Sequence, residues 1–125
     1  MNHVGKILGR GTQLFLKDRF SSLFAARLTA HGFSVDTRIG PNHDTLHVTD
    51  IGKDYVVIVK VTSPTSSCVD QPKAQIDVYV AESGEGFGEL DSLAGEAAGQ
   101  MRKQMDNQLT IELVVLEVVN IDVPQ

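Results

Sequence analysis

The stretch VKVTSPTSSCVDQPKAQIDVYV, residues 59–80, decides the fold, because it holds two sheet strands separated by a long polar connection. The first strand begins upstream, at Tyr55: residues 55–61, YVVIVKV, are apolar on both faces except for Lys60. That pattern predicts a central strand covered on both sides. In the second strand Ala74, Ile76, Val78 and Val80 point one way, while Lys73, Gln75, Asp77 and Tyr79 point the other. One face of it is therefore predicted to meet water or a partner. Two residues suffice to close a hairpin, so residues 62–72 are either a segment with a role of its own or a neutral insertion.

Working outward, helices are predicted on either side of this pair. Leu16, Phe20, Leu23, Phe24 and Leu28 recur at helical spacing, with Lys17, Asp18, Arg19 and Arg27 assigned to other faces, which predicts an amphipathic helix over residues 12–31. Gly32 stands where a left-handed residue ends such a helix. Phe33, Val35, Thr37 and Ile39 alternate as one strand does; Gly40-Pro41-Asn42 breaks the run, a short strand lies at residues 46–48, and residues 50–54 form the next turn.

Beyond the decisive stretch, residues 83–86 are a turn. Leu90, Leu93, Ala94, Ala97, Met101 and Met105 then mark a second helix over residues 87–107. Ala94, Gly95, Ala98 and Gly99 offer close approach to a sheet or another helix, although each glycine weakens the helix by roughly 1 kcal/mol relative to Ala. Residues 109–119 return to strand and are apolar on both faces apart from Glu112 and Glu117. Its second face, Val114, Leu116 and Val118, needs cover from a helix or another subunit. The expected fold is α+β, a two-layer domain with a mostly antiparallel sheet of four to five strands packed against two helices.

The chain has 125 residues, 42% of them hydrophobic, enough for one core and too few for two ordinary domains. We expect a single domain over residues 1–125, with residues 1–11 a flexible arm. A formal charge of -5 disfavours a protein that grips nucleic acid through phosphates. The first residues lead into no apolar run of signal-peptide length, and nothing approaches the roughly 20 apolar residues of a membrane span. The expectation is a soluble protein of intracellular origin, with no membrane partner. Cys68 is the single cysteine and has no internal disulfide partner, which fits a reducing compartment.

Catalytic patterns are weak. Gly5, Gly9 and Gly11 lack the Gly-Lys-Ser/Thr ending of a phosphate loop. His43 and His47 lie in extended chain, where four residues span about 13 Å, too far to share a metal. Cys68 sits without cationic neighbours, and Ser63, Ser66 and Ser67 lack an activating signature. We expect no catalytic residues, metal or cofactor. One enzymatic pattern stands out. A strand pair with Asp44 or Asp50, followed by a strand carrying Lys60, resembles the PD-(D/E)xK nucleases, whose two carboxylates hold a metal while the lysine assists the attacking water. Ile58 occupies the place of the second acid, so that resemblance implies a degenerate or inactive domain.

The whole span from residue 12 to 119, with its amphipathic helix, the strand YVVIVKV, the long loop, PKAQIDVYVA and the Ala-rich LDSLAGEAA, resembles the tail-terminator or neck proteins of long-tailed bacteriophages. The resemblance implies a structural virion subunit, made in the host cytoplasm, that forms a homo-oligomeric ring, usually a hexamer. Such a ring caps the tail tube and joins it to the head. Its implied partners are the tail tube protein and the head–tail connector proteins, with DNA passing through the lumen without specific binding. In that setting Thr62, Ser63, Pro64, Thr65, Ser66, Ser67, Val69, Asp70 and Gln71 form a docking arm, mobile in the free subunit, and Val114, Leu116 and Val118 a contact strand. A small adaptor or inhibitor that binds one host protein shares the same composition, exposed loop and lack of a catalytic site.

Overall fold

The computed structural model describes residues 9–63, 73–82, 87–105 and 109–118. The elements are α1 (Arg10–Ala30), β1 (Ser34–Ile39), β2 (Asp44–Asp50), β3 (Lys53–Thr62), β4 (Lys73–Glu82), α2 (Phe87–Gln104) and β5 (Thr110–Val118). They form an α+β domain with one five-stranded sheet in the order β1-β2-β3-β4-β5. The first four strands are an antiparallel meander, and β5 runs parallel to β4 because α2 carries the chain back to the same end of the sheet.

Helix α1 buries Leu16, Phe20, Phe24 and Leu28, and Leu23 packs half-buried at the edge of the same core. It ends as its sequence dictates. Gly32 has φ +94°, its N–H reaches the Thr29 carbonyl, and the Phe33 N–H reaches that of Leu28, so the last carbonyls of the helix are satisfied. At the other end the helix starts at Arg10, so the predicted arm runs two residues too far. The rest of that arm, residues 1–8, lies outside the described residues.

Both helices lie on one face of the sheet. Leu46 and Val48 of β2, Tyr55, Val57, Val59 and Val61 of β3, and Ala74, Ile76, Val78 and Val80 of β4 are buried beneath them, together with Leu90, Leu93, Ala94, Ala97, Ala98 and Met101 of α2. Arg27 of α1 bridges to Glu96 (3.2 Å) and Gln100 (3.1 Å) of α2, and Arg102 donates twice to the Ile111 carbonyl at the start of β5. The sheet's other face carries no second layer among the described residues. The expectation that β3 is covered on both sides is therefore corrected: Val56 is half-buried and Lys60 exposed, and Ile58 is shielded by neighbours within the sheet. An apolar run need not mean two-sided burial where strands on both sides lend side chains of their own.

The small-residue stripe of α2 is also corrected in part. Ala94 and Ala98 sit in the core, whereas a Cβ added at Gly95 or Gly99 would meet nothing within 4 Å. Close approach depends on the alanines alone.

Candidate functional site

The open face of the sheet is built from the alternate residues that do not meet the helices. Strand register sets them in rows. Arg38, Thr45, Ile58, Tyr79 and Leu116 stand side by side across all five strands, and Asp36, His47, Val56, Ala81 and Val118 form the next row. In a third, Lys60 faces Asp77 and Asp77 faces Val114. The surface is apolar toward β3, β4 and β5, with Leu116 45% exposed, and polar toward β1 and the row ends. Asp77 is nearly buried and accepts a hydrogen bond from Gln75 Nε2 at 2.9 Å, and Lys73 pairs with Glu112 at 2.6 Å on the β5 side. Such a half-apolar, half-charged sheet face suits contact with a protein surface.

Val114, Leu116 and Val118 thus occupy the open face of the edge strand β5, Val114 and Val118 half-buried. Of the predicted docking arm, Thr62 ends β3 exposed and Ser63 Oγ donates to the Lys73 carbonyl at 3.1 Å, which ties the two strand ends together. Pro64, Thr65, Ser66, Ser67, Val69, Asp70 and Gln71, with Cys68, lie outside the described residues.

A second polar constellation lies on the helix side. Asp44, the first residue of β2, is fully buried and accepts from the Lys17 ammonium, from Ser21 Oγ at 2.7 Å and from the Gly40 N–H at 3.2 Å. Lys17 is itself only 2% exposed and also reaches Asp18 at 2.7 Å. Burial opposes the Lys17 charge, but hydrogen bonds and attraction from Asp18 and Asp44 outweigh it and hold its pKa above the ordinary value. Arg10 donates to the Pro41 carbonyl (2.8 Å) and to the Asn42 side chain, so three α1 residues fasten the helix onto the β1–β2 hairpin. With Lys17 and Asp44 both buried and paired, this group ties α1 to the β1–β2 hairpin.

Lys17, read as lying off the apolar stripe, is buried right beside it. It shares the row 17-21-24-28 with Ser21, Phe24 and Leu28, one residue round from the Leu16 stripe. Asp44 carries the complementary signal, since it alternates with Leu46 and Val48 and so must point at the core.

The same register bears on the nuclease resemblance. Asp44 lies opposite Val59 in the core, while Lys60, the next residue along, leaves the opposite face. Asp50 pairs with Lys53, seven residues from Lys60, or about 23 Å along a strand. The carboxylate–lysine juxtaposition of those enzymes is thus not formed by any of the three residues. Among the described residues no group of three or more His, Cys, Asp or Glu is placed to hold a metal, and no helix is long and apolar enough to cross a membrane. His47 is half-buried on the open face between Asp36 and Val56. No family model, curated protein or solved structure matches this chain.

Proposed function

We propose that this chain is a structural subunit that works by assembling with copies of itself, as the ring-forming tail-terminator and neck proteins do at the end of a phage tail tube. The observation that carries this reading is the partly exposed apolar band, Val56, Tyr79, Val114, Leu116 and Val118, flanking the shielded Ile58 on the side of the sheet that its own helices leave open. Among the described residues the sheet is covered on one side, which leaves apolar area on the other that a second protein surface would remove from water.

Light scattering coupled to size exclusion tests this. The expected result is an oligomer whose mass rises with concentration to a fixed plateau, and dissociation in Val114→Glu and Leu116→Lys. A strict monomer at all concentrations moves the reading to an adaptor that docks a different protein through the same face.

A further inference from the structure

We propose that copies of this chain join edge to edge, with β5 of one subunit adding antiparallel to β1 of the next in a single register that sets Arg38 against Glu112. This rests on the self-assembly reading above and adds its geometry. Among the described residues β1 and β5 are the two edges of the sheet. Three antiparallel steps and one parallel step separate them, so they run in opposite directions. A copy placed beyond either edge in the same orientation therefore meets it antiparallel, and the contact is head-to-tail, the type that closes into rings.

Backbone phase allows the pairing. The two-residue connection Ile51-Gly52 makes Asp50 and Lys53 a hydrogen-bonded pair. Alternation from that pair through the registers turns the backbone groups of Val35, Thr37 and Ile39 outward on β1, and those of Ile111, Leu113, Val115 and Glu117 outward on β5. Only registers that oppose one set to the other can bond, and these also keep helix-side residues with helix-side residues.

Charge selects among them. With Arg38 opposite Glu112, Ile39 meets Ile111, Thr37 meets Leu113 and Val35 meets Val115. Ile39, 59% exposed in the single subunit, is then covered by the neighbour's core edge. A shift of two residues one way sets Asp36 against Glu112; a shift the other way sets Arg38 against Val114 and Val35 against Glu117. Arg38 is exposed and has no ion-pair partner among the described residues, and Glu112 carries one from Lys73. Arg38 and Glu112 fall in a non-hydrogen-bonded pair, where side chains approach closest.

That spacing also suits a disulfide. In a Cys68→Ser background, Arg38→Cys with Glu112→Cys on one chain should give a ladder of covalent oligomers on mild oxidation, and neither substitution alone should cross-link. Charge reversal is the second arm: Arg38→Glu or Glu112→Arg alone should lose the oligomer, and the two together should recover it. An oligomer by light scattering with no ladder and no charge rescue overturns the edge pairing and leaves self-assembly standing. A covalent dimer from Thr37→Cys alone, the centre of a two-fold β1–β1 contact, also overturns it. A monomer at every concentration removes both this pairing and the reading beneath it.

Discussion

The Lys17 ammonium of α1 meets the Asp44 carboxylate of β2 with both side chains out of water, and a third group, the exposed Asp18, touches only the lysine. The pair is therefore lopsided. Asp44 keeps only Ser21 and the Gly40 N–H if Lys17 goes, whereas Lys17 keeps a charged partner if Asp44 goes. Lys17→Met should lower stability by on the order of 3 kcal/mol, because a buried carboxylate is left without its cation. Asp44→Asn should cost less, about 1–2 kcal/mol. The double variant Lys17→Met/Asp44→Leu should regain most of the loss in urea unfolding; additive losses would mean the two residues do not act as a pair.

The same pair predicts behaviour at alkaline pH. The folded Lys17 pKa lies above that of the unfolded chain, so its contribution is complete below about pH 10.4 and is lost as pH rises through the higher folded value. The melting temperature of wild type should fall toward that of Lys17→Met above this pH. Parallel pH curves for the two proteins would contradict it.

At Gly40 the chain turns between β1 and β2, and an added Cβ would lie inside van der Waals contact with the His43 carbonyl oxygen. The obstacle is backbone, which cannot swing aside as a side chain does. Gly40→Ala should destabilise by roughly 2 kcal/mol, and a wild-type melting curve would show that the turn relaxes freely.

Gly95 and Gly99 predict the opposite sign. Both lie in α2 with open space where a Cβ would stand. Gly95→Ala and Gly99→Ala should each stabilise by about 0.5–1 kcal/mol, seen as a rise in thermal midpoint. Lower midpoints would point to a packing role for that face.

The loop at residues 62–72 is tested by shortening it. Thr62 and Gln75 lie directly across from each other, so a short connection can span the strand ends. Replacing residues 63–71 with Asn-Gly should leave a folded monomer with a melting temperature near wild type and impair assembly. An unfolded product would place the loop in the core, and normal assembly would end the docking-arm idea.

Much of this architecture was legible in the sequence because a single period governed each element. Leu16, Phe20, Phe24 and Leu28 announced α1, Gly32 its end, and the alternation from Ala74 to Val80 fixed which side of β4 is buried. What escaped was chemistry that only tertiary placement creates. Strand β2 extends to Asp44 and Thr45 on one side and to Asp50 on the other, polar residues that hide a strand until neighbours supply its hydrogen bonds. The burial of Lys17 leaves no mark in the sequence, because a lysine beside an apolar stripe usually reaches water and its partner lies 27 residues away. The open sheet face is half visible in the sequence: the alternation of β4 marks its polar side, while the apolar run of β3 suggests a cover that the described residues do not provide.

The parallel placement of β5 has a consequence for the order in which the molecule comes into being. Strands β1 to β4 can pair with sequence neighbours as they emerge, but β5 must wait for α2 to cross over before it finds β4. Until then β4 is the margin of the sheet, with its outward backbone groups unmet. Translation thus delivers the β1 margin before the β5 margin. Under head-to-tail joining, a chain cut short before Thr110 presents one mating surface without the other, and would end a growing ring instead of closing it.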